Sequence, residues 1–219
     1  MKPKPLLLLD FDGPIVDVQR RYYQIYIDLL HRYRANLLGK QEYWHLKKMK
    51  TPEKDILIAS GATAAVDSYM KARMAVIETQ DYLHLDEIHP FVIPTLEKLV
   101  QTFDLALVTL RSSKSLLLSE LERFHIAGFF KAVLSSGEPL SPRWKIKEKL
   151  VNAFLKENDY NVVAIAGDTE TDINAGHALG CKAIFVRNGI RYEHMIQPAR
   201  ADHAINDIQL LPSLLETIS

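Results

Sequence analysis

The chain has 219 residues, 25% of them charged and 47% apolar, enough for one sizeable core or a core with a smaller insert. Its 27 Lys and Arg balance 27 Asp and Glu, so overall charge directs it to neither nucleic acid nor a membrane surface. The single cysteine, Cys181, excludes an internal disulfide and suits a reducing cytosol, and no stretch approaches a membrane span, so a soluble cytoplasmic protein is expected.

The N-terminal apolar run is too short for a signal peptide and ends at an acid. Leu6–Leu9 instead reads as a strand apolar on both faces, of the kind buried in a parallel sheet. Asp10, Asp12 and Gly13 follow directly, at the C-terminal strand end where ligands bind in open α/β sheets. Asp-Gly also favours turns, but a carboxylate ending a fully apolar strand is costly unless a metal, a cation or hydrogen bonds compensate it. From about residue 15 to 88 the pattern turns helix-like through Tyr22–Tyr33, Thr51–Ser60 and Ala64–Gln80. The segment around Pro90 reads as a return linker.

Buried strands are then predicted at Leu105–Leu110, Ala132–Leu134, Val162–Ala166 and Ala183–Val186. Between them lie amphipathic helices, one opened by Pro94, one capped by Ser112 or Ser113, and one starting at Ser141–Pro142. Such alternation indicates βαβ units and a parallel, doubly wound sheet. Each later strand delivers polar residues at its C-terminal end. The second ends in Thr109, with Arg111, Ser112 and Ser113 behind it, and Lys145 follows the third. The fourth ends in GDTETD, with Asp168 and Asp172 four apart. Four carboxylates, a hydroxyl and an ammonium would converge on one edge, as a divalent cation and a phosphoryl group require. Asp172 also completes a capping-box pattern with Thr169, and Thr109 could simply end a strand.

DxDG near the N-terminus, Thr after an apolar strand, a downstream Lys and GDxxxD, in that order, resemble the haloacid dehalogenase-like superfamily over essentially the whole chain. The helical insertion is similar to the cap of its phosphoglycolate phosphatase-like members. The resemblance implies a Rossmann-like core of residues 1–14 and 90–219, with an all-helical cap at 15–89. It implies a Mg²⁺-dependent phosphatase acting on a small phosphorylated metabolite, with Asp10 as nucleophile and Asp12 as general acid and base. Asp10, Asp168 and the backbone carbonyl of Asp12 would hold Mg²⁺, with Asp172 as a ligand or just behind one. Thr109, Gly13, Arg111, Ser112 and the amides of the following helix start would bind phosphoryl oxygens or substrate. Lys145 would neutralise phosphoryl charge and hold Asp10, with Lys147 the alternative on the same helix. Pro14 and Leu110 depart from the common pattern without removing an assigned catalytic group.

From Val18 to Lys54 nine Lys and Arg face three acids, and Lys47 in the stretch Tyr43–Lys54 is the candidate to meet the substrate. Interleaved aromatic residues do not outweigh the catalytic pattern in favour of nucleic acid. A phosphotransferase or mutase, or a phosphonatase using a cap lysine, belongs to the same superfamily. A non-catalytic binding protein is the rival of another class. A monomer or homodimer is expected.

Overall fold

Residues 4–33, 35–138 and 141–218 are described by a computed structural model. Residues 17–87 form one compact unit and the rest of the chain another.

β1 (Leu6–Leu9) is the strand that organises the larger unit, its four leucines being 0% exposed. A side chain on either face of this strand meets protein, as the apolar run requires. Two short strands, β2 (Val16–Asp17) and β3 (Glu87–Ile88), make a separate two-stranded sheet. The main sheet continues with β4 (Asp104–Thr109), β5 (Phe130–Ser135), β6 (Val162–Gly167), β7 (Lys182–Val186) and β8 (His203–Ile205). Its order is β5-β4-β1-β6-β7-β8, and every pairing is parallel. Leu9 lies opposite Leu107 on one side and Ala166 on the other, so Asp10 emerges level with the ends of β4 and β6. Strands run outward from β1 first on one side and then on the other, which opens a crevice at its C-terminal end.

Among the described residues of 17–87 the α-helices follow one another as α1 (Gln19–Leu30), α2 (Lys40–Lys48), α3 (Glu53–Ala59), α4 (Val66–Val76) and short α5 (Gln80–Leu83). Their core is Tyr26, Leu30, Tyr43, Ile56, Leu57 and Tyr69. At its polar end the buried Glu53 accepts from Lys47 Nζ at 2.5 Å and from the Tyr69 hydroxyl at 3.0 Å, with Arg73 Nε at 3.8 Å. Burial pushes the Glu53 pKa up, but Lys47 and Arg73 outweigh it and hold the carboxyl below its ordinary value.

The larger unit adds α6 (Val92–Thr102), α7 (Lys114–Arg123), α8 (Trp144–Glu157), α9 (Glu170–Leu179), short α10 (Glu193–Ile196) and α11 (Leu211–Ile218). On one face of the sheet Leu6, Leu8, Ala106, Val108 and Ile165 pack with Val151 of α8 and Ala175 of α9. α6 starts two residues before Pro94, which is tolerated because the first four helical N–H groups have no intrahelical acceptor. α8 starts at Trp144, past Ser141–Pro142. The edge strand β8 is not predicted by the sequence, because three residues, of which only Ile205 is buried, present no apolar run. No helix among the described residues is long and apolar enough to cross a membrane.

Candidate active site

Asp10 takes its place from β1: the fully buried strand ends there, leaving its side chain 10% exposed at the crevice. The chain then turns sharply. Gly13 has φ of 102°, and its N–H donates to Val16 O at 2.9 Å while its carbonyl contacts His89 Nε2 at 2.9 Å. A side chain at Gly13 would be strained by that backbone and would also collide with the Asp168 carboxylate. Gly13 therefore admits Asp168 to the site.

Asp168 and Asp172 arrive from the junction of β6 and α9. Thr169 caps α9, and Asp172 Oδ2 accepts from the Thr169 N–H at 3.1 Å and its hydroxyl at 2.9 Å. The capping box predicted from the sequence is thus present, and it leaves Oδ1 of Asp172 pointing to the site. That oxygen accepts from Lys147 Nζ at 2.5 Å, and the same ammonium lies 2.7 Å from Asp10 Oδ1. One carboxyl serves both the helix and the site.

Here the structure corrects the lysine. Lys145 is exposed on α8, its Nζ 5.7 Å from the Trp144 ring centroid, whereas Lys147 is 1% exposed. The helical period decides this. Lys147 shares the inward stripe with Val151, while Lys145 follows the outward one through Lys149, Asn152 and Lys156.

Asp10, Asp168 and Asp172 are all buried, with one oxygen of each within 4.8 Å of the others. Three carboxylates then face one ammonium. Burial, followed by the charge of Asp172, pushes the Asp10 pKa up to about 7. Burial, with Asp10 and Asp172 beside it, also drives Asp168 well above its ordinary value. Burial alone would lower the Lys147 pKa, but Asp10 and Asp172 more than reverse this and keep it protonated. Asp168 Oδ2 accepts from the Ile190 N–H at 2.5 Å, while its Oδ1 is buried with no hydrogen-bond partner. An unmatched oxygen among all-oxygen donors with excess negative charge is what a hard divalent cation fits.

Other predicted residues are distributed unevenly. Thr109 ends β4, 2% exposed, and its hydroxyl accepts from the Arg111 N–H at 3.4 Å. Ser113, not Ser112, is the cap of α7, accepting from the Leu116 N–H at 3.4 Å. Ser112 is exposed just before it. Arg111 is buried and grips Asp12 through Nε at 2.8 Å and Nη2 at 2.7 Å. Lys47 lies in the helical unit, its ammonium paired with Glu53. Two participants escaped sequence reasoning. A side chain at Gly189 would collide with Asp168, and the Ile190 N–H donates to it; a glycine following the buried run of β7 was the available signal. Cys181 is partly buried, and that burial pushes its thiol pKa up to about 11, unlike a nucleophile's.

A family model for haloacid dehalogenase-like hydrolases matches residues 7–186. The chain belongs to that family. The hydrolase fold is also shared with solved structures over nearly full length. One is a haloacid dehalogenase-like family hydrolase from Streptococcus pneumoniae, 16% identical with a TM-score of 0.72, the match covering 97% of this chain and 98% of that one. Another, from Haemophilus somnus, is described as a predicted phosphoglycolate phosphatase; it is 19% identical, with a TM-score of 0.72 and coverage of 98% and 99%. A third, a predicted phosphatase from Clostridium acetobutylicum, is 18% identical, with a TM-score of 0.71 and coverage of 99% and 100%. At such identities the likeness is one of fold. No curated protein matches the sequence. This haloacid dehalogenase-like chain gathers three buried carboxylates, a buried lysine and a helix start at the C-terminal ends of β1, β4 and β6.

Proposed function

We propose that this chain is a Mg²⁺-dependent phosphomonoester hydrolase that works through an aspartyl-phosphate on Asp10. The observation that carries this reading is the buried group of Asp10, Asp168 and Asp172 around Lys147, with Asp168 Oδ1 unmatched. Asp10, Asp168 and the Asp12 carbonyl would hold the cation, with Asp172 set behind them by Lys147 and the α9 cap. When bound, Mg²⁺ supplies positive charge beside the transferred phosphoryl group.

An Asp10 oxygen attacks phosphorus as the bond to the leaving oxygen breaks, and Asp12 gives that oxygen a proton. Water then attacks the phosphorus of the aspartyl-phosphate, Asp12 takes the water's proton, and inorganic phosphate leaves Asp10 free. Lys147 holds Asp10 in place and balances phosphoryl charge. Thr109 and the amides opening α7 receive phosphoryl oxygens. Positioning and charge are most of what a protein contributes to such a transfer. Residues 17–87 act as the cap, and its basic N-terminal half favours a small anionic, phosphorylated substrate.

The test is phosphate release from a generic aryl phosphate with Mg²⁺ and with chelator, for wild type and Asp10→Asn. Metal-dependent release that vanishes in the variant is expected. Equal release by Asp10→Asn would overturn the assignment.

A further inference from the structure

Arg111 was expected to meet substrate, yet its guanidinium is already engaged inside the larger unit. Nε and Nη2 take the two oxygens of Asp12 at 2.8 and 2.7 Å, while Nη1 reaches Glu120 Oε2 of α7 at 3.0 Å. Its plane also lies by the ring of Phe11, 5.6 Å from the centroid, and Phe11 is 0% exposed. Arg111 and Glu120 are both buried, while the Asp12 side chain keeps 24% of its surface open. We propose that Arg111, anchored by Glu120 and Phe11, is a positioning residue that sets the orientation of the Asp12 carboxyl.

The geometry carries this in three steps. A fork that takes both oxygens fixes the plane of a carboxyl group, whereas a single donor would let it turn. Each carboxyl oxygen has two acceptor sites, so a pair of forked bonds leaves one site on each for a reacting oxygen. The fork itself is immobilised from behind, because Glu120 is buried in α7 and Phe11 belongs to the DxDG turn. The chain Glu120–Arg111–Asp12 therefore ties the proton carrier of the proposed reaction to the body of the sheet. The inference rests on the assignment of Asp12 as that carrier, and it replaces substrate contact as the work of Arg111.

A double-mutant cycle tests it. Phosphate release from an aryl phosphate with a good leaving group is measured for wild type, Arg111→Met, Asp12→Ala and the double variant. Arg111→Met is expected to lower kcat at least about tenfold with KM changed less than about threefold. In the Asp12→Ala background the same change should cost less than about twofold, because the residue it acts through is gone. Arg111→Lys keeps the charge without the fork and should not restore kcat. Losses that multiply in the double variant, a raised KM at unchanged kcat, or full rescue by lysine would each overturn the proposal. Glu120→Gln, a milder change, should give a smaller loss that also disappears without Asp12; a loss that persists there counts against it. A crystal structure of Arg111→Met provides a readout independent of turnover: an unmoved Asp12 carboxyl would overturn the proposal. The hydrolase reading fails separately, through Asp10→Asn.

Discussion

The Lys147 ammonium stands between Asp10 and Asp172, 2.7 Å from one carboxylate and 2.5 Å from the other. It is the only cation paired with this group among the described residues, and it lies 1% exposed. Removing one member of such a buried arrangement leaves uncompensated charge, which is far costlier than the net worth of the pair. Lys147→Met is therefore expected to reduce phosphate release about a hundredfold or more and to lower thermal stability. Lys145→Met, on the solvated face, should leave release within about twofold. Steady-state rates and melting curves of the two variants check this.

Asp168 gives an opposite sign. Its unmatched Oδ1 sits in a group with more carboxylates than cations, so Asp168→Asn relieves repulsion in chelated protein and should raise its Tm. Wild type should gain stability from added Mg²⁺, by about 2.7 kcal/mol at roughly a hundredfold excess over Kd. The asparagine variant should lose that gain. Thermal shift with chelator and with Mg²⁺ measures both effects, and a full Mg²⁺ response in the variant would exclude Asp168 as a ligand.

Asp172 is shared between the helix and the site. Asp172→Ala removes the acceptor for the Thr169 N–H and a partner of Lys147 together. A loss of about 1–2 kcal/mol is expected from the cap alone, with further loss from the unpaired ammonium. Asp172→Asn retains a carbonyl acceptor but not the charge, so it should recover part of the stability and little of the activity. Denaturant unfolding alongside phosphate release separates the two roles.

Glu53 gives the helical unit a definite pH dependence. Its folded pKa is lowered, first against burial and then by Lys47 and Arg73, so its contribution is complete above its unfolded value of about 4.3. That contribution is lost as pH falls through the folded pKa. Glu53→Gln should cost roughly 3 kcal/mol at pH 7, and the gap to wild type should close progressively under acid conditions. Melting curves from pH 7 to pH 3 test the sign; a gap widening at low pH would contradict it.

β1, β4, β6 and β7 were legible because they are short apolar runs, and a run buried on both faces has one stable setting. Asp10 at the end of β1, the GDTETD turn and the Thr169–Asp172 cap were legible for a related reason. Local chemistry sets a strand end, a helix start and the spacing between two carboxylates. β8 was not legible, since a three-residue edge strand is made by its neighbour's unpaired backbone groups and not by its own pattern.

What only the tertiary structure decided is which charged side chains meet. Lys145 and Lys147 are two residues apart with like chemistry, and the packing of α8 on the sheet turns one inward and the other to solvent. Arg111 is joined to Asp12 across 99 residues, and Lys147 to Asp172 across 25. The sequence by itself determined the sheet and the strand ends that carry carboxylates, because burial and local hydrogen bonding act over a few neighbouring residues. Ion pairs between distant segments depend on where whole elements pack, so only the folded chain could choose among them.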